Sequence, residues 1–505
     1  MQSVIGMIRG MIAGVAVAVL SMTALFGINF AVTQISPEHY RRIVVQALES
    51  GTLATVTHLT FAPGKDVYPF GGNDCLILGA LVMPRDARMK ASVSPRLPVA
   101  DDDSDGAPGY PPAALCRWLA ATMRMISRNQ ADDQFPPPSY YHRYIQGDTT
   151  VAALLLAIMS FAAATNTLLA GCYAMLAGIA LVAIFRLNIG EPAERRRAGA
   201  FLILAAVLAC FYGAPVFDRS FSFAPTDFVV FGFILYGLLQ PFGTIPRQRF
   251  TLAAALFGSL IAILEFLTGG IPLGVATLIA LIALGGTSDW RTLRNRVAVG
   301  TAAFAAAIVA CFGYKLLAVA AVFGTNELSV FFETLGHHMG GSIEANLSDS
   351  VKAALAAYHI NHQWLDTNIL TRAAFAGLML TYSSFFLGWG SHMLGATIVL
   401  LPTPLLIAVG YFSYPDRCIS QRARERLGLA LAGAVPVVWY VLFINHTILH
   451  SSYMVRPLAL NLALCVVAAL PPWPSRAVGR NRAGVLHMRA RLTADSGRAE
   501  GLCRR

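Results

Sequence analysis

Asp74 has the clearest chemical context of any residue in this chain. It stands in YPFGGNDCLILGALV, after Gly71, Gly72 and Asn73 and just ahead of an apolar run. A carboxylate entering apolar surroundings loses the water that stabilises its charge, so its basicity rises. Such a group could act as a general base. The same placement suits a helix N-cap, where Asn and Asp are favoured, and one residue can hold both roles. Asp66 and Glu38 are rival carboxylates in the same polar stretch.

A second cluster is Tyr141, His142, Arg143 and Tyr144. An Arg fork can grip a phosphate through two parallel hydrogen bonds, which Lys cannot. Tyr residues also gather at membrane–water interfaces for anchoring alone. A third cluster is Asn445, His446 and His450, with Arg456 following. His446 and His450 share a helical face. No carboxylate completes an H-E-x-x-H metal pair, so cavity lining or helix capping suits them better, and no metal or other cofactor is expected. His337, His338 and Glu333, with His359, His362 and Asp366, decorate a later polar stretch. Glu265 lies near the end of an apolar segment, where an ionisable group is a functional candidate.

The elements that must position these residues are set by composition. The 505 residues are 56% hydrophobic and only 13% charged. A soluble domain carries about 25% charged residues, so lipid must be the solvent for most of this chain. The formal net charge is +11. The Arg residues sit in short connectors between apolar segments, as the positive-inside rule expects. That distribution argues against nucleic acid as a partner. Of eight Cys, Cys75 and Cys116 share the long polar stretch. An oxidising compartment would permit a disulfide there, and the sequence leaves the pairing open.

The chain reads as an all-α polytopic membrane protein. A span needs about 20 apolar residues. Sorting by Arg clusters gives ten spans: 11–33, 165–186, 198–217, 227–244, 250–268, 271–288, 297–322, 392–411, 427–445 and 455–471. Both termini then face the cytoplasm. Segments 149–163 and 371–388 are left over and read as re-entrant or interfacial; twelve spans is the alternative count. Four regions follow: a first span at 1–33, an outer loop at 34–148, a helical domain at 149–471 and a basic cytoplasmic tail at 472–505. The outer loop opens with Ser36-Pro37, a helix-start signal, and carries an amphipathic membrane-surface helix; a second falls at 115–130. Residues 94–112 read as an irregular excursion, and 324–370 as a second outer loop.

The clusters also carry a resemblance. Tyr141-His142-Arg143-Tyr144-Ile145-Gln146-Gly147 resembles a Tyr-x-Arg-Tyr-Trp-His-Gly segment, departing at Ile145 and Gln146. Asn445-His446-Thr447-Ile448-Leu449-His450, then Tyr453 and Arg456, resembles a late Asn-His-Ser/Thr-x-x-His segment followed by an aromatic residue and an Arg. Together with the first-loop plan, they look like the GT-C superfamily of membrane glycosyltransferases from bacterial polysaccharide and cell-envelope biosynthesis. About fifteen residues match closely. The resemblance implies transfer of a sugar from a polyprenyl-phosphate carrier to an acceptor glycan, lipid or protein outside the inner membrane. Asp74 would be the base, with Arg143 or Arg456 holding the lipid phosphate. The other readings are a transporter or flippase for lipid-linked glycans, an O-antigen-type polymerase, and a structural envelope subunit. A transporter should show charges in mid-span and an internal repeat; Glu265 and Lys315 are the notable charges, and no repeat is visible.

Overall fold

A computed structural model describes residues 2–53, 71–85, 87–98, 112–127, 138–142, 144–211, 219–240, 247–265, 269–286, 289–340, 364–367, 369–384, 401–418, 420–449, 454 and 456–470. The described chain is helical apart from one short two-stranded ladder. In order, the helices are α1 (Gln2–Val32), α2 (Pro37–Glu49), α3 (Gly71–Val82), α4 (Arg88–Val93), α5 (Pro112–Ser127), α6 (Gly147–Leu156), α7 (Phe161–Ile189), α8 (Pro192–Phe211) and α9 (Ala224–Leu239). There follow α10 (Arg247–Leu264), α11 (Gly270–Leu284), α12 (Trp290–Phe323), α13 (Glu327–Gly340), α14 (Trp364–Thr367) and α15 (Ile369–Ser384). The last are α16 (Pro402–Ser413), α17 (Gln421–Leu442), α18 (Ile444–Leu449) and α19 (Arg456–Ala469).

Among the described residues, four helices are long and apolar enough to cross a membrane: Val4–Val32, Phe161–Ile189, Trp290–Phe323 and Gln421–Leu442. Their outward faces are apolar. Leu20, Leu181, Val309 and Leu317 are each about seven-tenths exposed, which suits lipid rather than water. In contrast, α11 is apolar on all sides and buried along nearly its whole length, as expected of a central helix. Several helices run through Arg residues that hydropathy alone excludes, such as Arg195–Arg197 in α8 and Arg291–Arg296 in α12. Arg is a good helix former, so the apolar stretch marks the buried part of a helix and not its ends.

α1 lies against α12 and α10. Gly10 and Gly14, four residues apart, make the closest approach possible. A Cβ on Gly14 would stand 2.4 Å from the Ala303 carbonyl oxygen. Close packing at small residues is how helices associate where lipid removes the hydrophobic drive.

The first polar stretch has its own core. α2 begins at an N-cap, with Ser36 Oγ accepting the Glu38 amide, and buries Tyr40, Val44 and Ala47 on one face. These pack with Ile77, Leu78, Leu81, Leu119 and Met123 from α3 and α5, and with Ala152, Ala153 and Leu156 from α6. The Cys75–Cys116 disulfide joins α3 to α5 across 41 residues. Arg96–Pro98 pairs antiparallel with Pro138–Tyr140. The class remains all-helical; within the 94–112 stretch the ladder puts residues 96–98 in a strand, and 99–111 lie outside the described residues. An edge ladder tolerates Pro98 and Pro138 at its end.

Candidate functional site

Among the described residues, four buried carboxylates stand at helix starts. Asp74, Asp148 and Asp227 lie in the first turns of α3, α6 and α9. Glu265 Oε1 accepts the Gly269 amide (3.0 Å) at the start of α11. The amides of a first turn lack intrahelical partners, and the helix dipole there favours negative charge.

Asp74 is fully buried. Its Oδ1 accepts the Ser220 hydroxyl (2.8 Å) and the Ser222 amide (3.2 Å). Both donors favour the charged form. Phe221 between them packs on Phe161, with ring centroids 6.0 Å apart. Five residues after Ser222, Asp227 is fully buried and accepts from Arg456 Nη2, 2.6 Å from Oδ2. The Phe223 ring lies 4.5 Å from the same guanidinium. Residues 220–227 therefore hold Asp74 at one end and Arg456 at the other, bringing together residues 382 positions apart in the chain.

α6, which packs on α3, carries Asp148 in its first turn. Asp148 is 1% exposed. Its Oδ1 accepts the Thr149 amide at 2.8 Å, while Oδ2 is buried with no hydrogen-bond partner among the described residues. At ten residues, α6 is about 15 Å long and too short to cross a membrane. Burial pushes the Asp148 carboxyl up to about 7; the Thr149 amide opposes this and the Asp74 charge adds to it. The turn into α6 is tightly constrained. Gln146 sits at φ +64 in the left-handed region, which a non-glycine residue seldom adopts. A Cβ on Gly147 would lie 2.3 Å from Ile263 Cγ2.

The Tyr141–Tyr144 segment divides. Tyr141 donates its amide to the Pro95 carbonyl (2.9 Å) and accepts from Gln146 Nε2 (3.3 Å). The Tyr141 and Tyr144 rings are 5.5 Å apart. His142 is buried, with Nδ1 2.9 Å from Ser94 Oγ. Lys315 of α12 donates to Ser94 Oγ (2.9 Å) and to the Val93 carbonyl. Burial, with Lys315 charge second, pushes His142 down to about 4. Its 3.5 Å approach to Glu327 is therefore a polar contact and not an ion pair at neutral pH. Arg143 lies outside the described residues.

The Asn445 segment is held by a different arginine, Arg372. Asn445 and His446 are buried in α18. Asn445 Oδ1 accepts from Arg372 Nη1 (3.4 Å), whose guanidinium also reaches the Leu365 carbonyl (2.7 Å) and Asp366 (3.4 Å). His450 and Tyr453 lie outside the described residues. Among the described residues, no group of three or more His, Cys, Asp or Glu could hold a metal ion.

Sequence reasoning passed over Ser220, Ser222, Asp227 and Asp148. A signal existed for each. DRSFSFAPTD is a polar insert between two apolar runs, and Asp148 directly follows the Gly147 that ends the quoted segment. No protein-family model, no curated protein and no solved structure matches the chain.

Proposed function

We propose that the chain is a membrane glycosyltransferase that moves a sugar from a polyprenyl-phosphate carrier to an acceptor glycan, lipid or protein. In this reading it spans a bacterial inner membrane ten times and works on the outer face. The observation that supports it is the 220–227 segment, which places a buried carboxylate and a buried guanidinium in one polar region. Asp74 takes the proton of the acceptor hydroxyl as that oxygen attacks the anomeric carbon. The bond from the anomeric carbon to phosphate oxygen breaks, and a guanidinium offsets the charge left on the phosphate. Arg456 can do so by exchanging Asp227 for the carrier phosphate, which its planar fork fits equally well. Arg143 is the other candidate.

The test is sugar release from a panel of polyprenyl-phosphate sugars by the purified protein and its Asp74→Asn variant. Turnover of one donor, lost in the variant with carrier binding kept, supports the reading. Full activity in Asp74→Asn removes Asp74 as base.

A second reading, a transporter or flippase for lipid-linked glycans, draws on Lys315. It is buried in a membrane-length helix, eight residues before that helix ends, and bonded to Ser94 of the first loop, and intramembrane charges often mark transport paths. Carrier binding with no turnover of any donor favours that reading.

A further inference from the structure

We propose that a cavity at the far end of α9 from Asp227 binds a phosphate group through Arg296, Arg197 and Asn295. The proposal stands apart from glycosyl transfer and from the role of Asp74.

The cavity has a volume of about 180 Å³ and lies among α8, α9, α10, α11 and α12. Two guanidiniums line it, those of Arg197 and Arg296, and no carboxylate among the described residues does. Arg296 carries the argument. It is half-buried and, among the described residues, makes no hydrogen bond and no ion pair. A guanidinium withdrawn from water without a partner loses solvation that nothing in the protein returns. Arg197 is 3% exposed. Its two Nη atoms donate to the Gln240 and Gly237 carbonyls, which fix the group, while its Nε is buried with no partner among the described residues. Asn295, beside Arg296 in the chain, has a buried Oδ1 that is likewise unpartnered. A half turn of that amide presents its NH2 group instead. Three polar groups on two helices thus line one cavity with donors unspent. A phosphate supplies what they lack, a negative charge spread over several acceptor oxygens.

The acids of this end do not compete for the cavity. Asp289 accepts the Thr292 amide and hydroxyl, both at 2.8 Å. Glu425 pairs with Arg196. Glu194 acts on Arg197 from α8 without lining the cavity. The connectors at 241–246 and 287–288 contain no Asp or Glu. Much of the remaining wall is apolar, formed by Phe250, Leu281, Ile282 and Val299. A basic cavity with apolar walls between membrane helices suits the headgroup and first carbons of an anionic lipid. Inorganic phosphate offers the same oxygens without the chain.

The test is thermal unfolding of the full-length protein in a neutral detergent, with added phosphatidylglycerol, sodium phosphate, or sodium chloride at matched ionic strength. It needs no turnover, so its outcome is independent of the glycosyl-transfer test. A ligand that binds only the folded state raises the midpoint, and the concentration dependence gives an affinity. Phosphatidylglycerol should raise the midpoint above chloride. Arg296→Gln should weaken that affinity about ten- to a hundredfold. Arg294→Gln removes an equal charge from an exposed position on the same helix and should leave the affinity unchanged. A rise with sodium phosphate as large as with the lipid, and equally weakened in Arg296→Gln, supports the site with free phosphate as its ligand. If Arg296→Gln fails to fold, Asn295→Asp decides, because its carboxylate can pair with Arg296 in the place of the anion: lost binding supports the proposal, and full affinity overturns it. No rise above chloride with either phosphate source, or the same affinity in Arg296→Gln, overturns it as well.

Discussion

The two ends of the helical body use charge in opposite ways. α9 and α19 both start in the acid-rich end, at Asp227 and Arg456, and run to an arginine-rich end. There Arg197 donates to the Gln240 carbonyl (2.9 Å) and to that of Gly237. Arg186 reaches Gln240 and Leu239 (3.2 and 3.1 Å), and Arg422 reaches Leu470 (2.7 Å). These are the last carbonyls of helices, which lack amide partners and carry the negative end of the dipole. Each such Arg completes a helix. At the other end buried carboxylates gather at helix starts, and Asp74 depends on a distant segment for its donors. Charge at one end closes the last turns of helices, and buried charge at the other gathers around their first turns.

That contrast can be broken experimentally, and the largest effect is expected at Asp227. Asp227→Ala leaves Arg456 buried and uncompensated, which should cost about 3–5 kcal/mol by unfolding in detergent. Adding Arg456→Met should return much of that stability without returning turnover. Equal loss from Asp227→Ala and from a surface carboxylate would mean that the pair is not buried in solution.

Next is the pH dependence contributed by Asp148. Its folded value lies above its unfolded one, so its stabilising effect is complete below about 3.8 and is lost as pH rises through about 7. Thermal unfolding across that window should show a loss of a few kcal/mol at most, at about 1.4 kcal/mol per unit. Asp148→Asn should flatten that loss. An unchanged slope would remove Asp148 as its source.

Breaking the covalent link with Cys75→Ser and Cys116→Ser should cost about 2–4 kcal/mol, with turnover falling further than helix content by circular dichroism. If turnover and helix content fall together, the first-loop core and the bundle are one cooperative unit. The smallest effect belongs to the arginine end. Arg197→Gln should cost about 1–3 kcal/mol of stability through lost charge-assisted bonds, with turnover per folded molecule unchanged. A loss of turnover there would dissolve the distinction between the two ends.

Much of this organisation is legible in the chain. The apolar runs mark the membrane-length helices, and Ser36-Pro37 marks the start of α2. Cys75 and Cys116 mark a permissible bond, but only the fold brings their Cα atoms to 5.2 Å. Asp74 stands out by its apolar context, whereas its partners Ser220 and Ser222 do not. A hydroxyl pair in a connector has no periodicity to betray it, and its meaning comes from a contact across 146 residues. Asp148 was hidden for the opposite reason. It looks like an ordinary acid at a helix start, and its burial separates it from one. Glu265, an evident candidate by sequence, proves to cap α11, with Gly270 too close to carry any side chain.

The Cys75–Cys116 bond has a consequence for biogenesis. Helices of the main bundle can insert and pack in lipid while their thiols are reduced. The bond beside Asp74 forms only where an oxidant reaches it, outside the reducing cytosol. Maturation is then a separate event from insertion, and a cell that lacks oxidative folding would accumulate a well-inserted precursor whose first loop is unfinished.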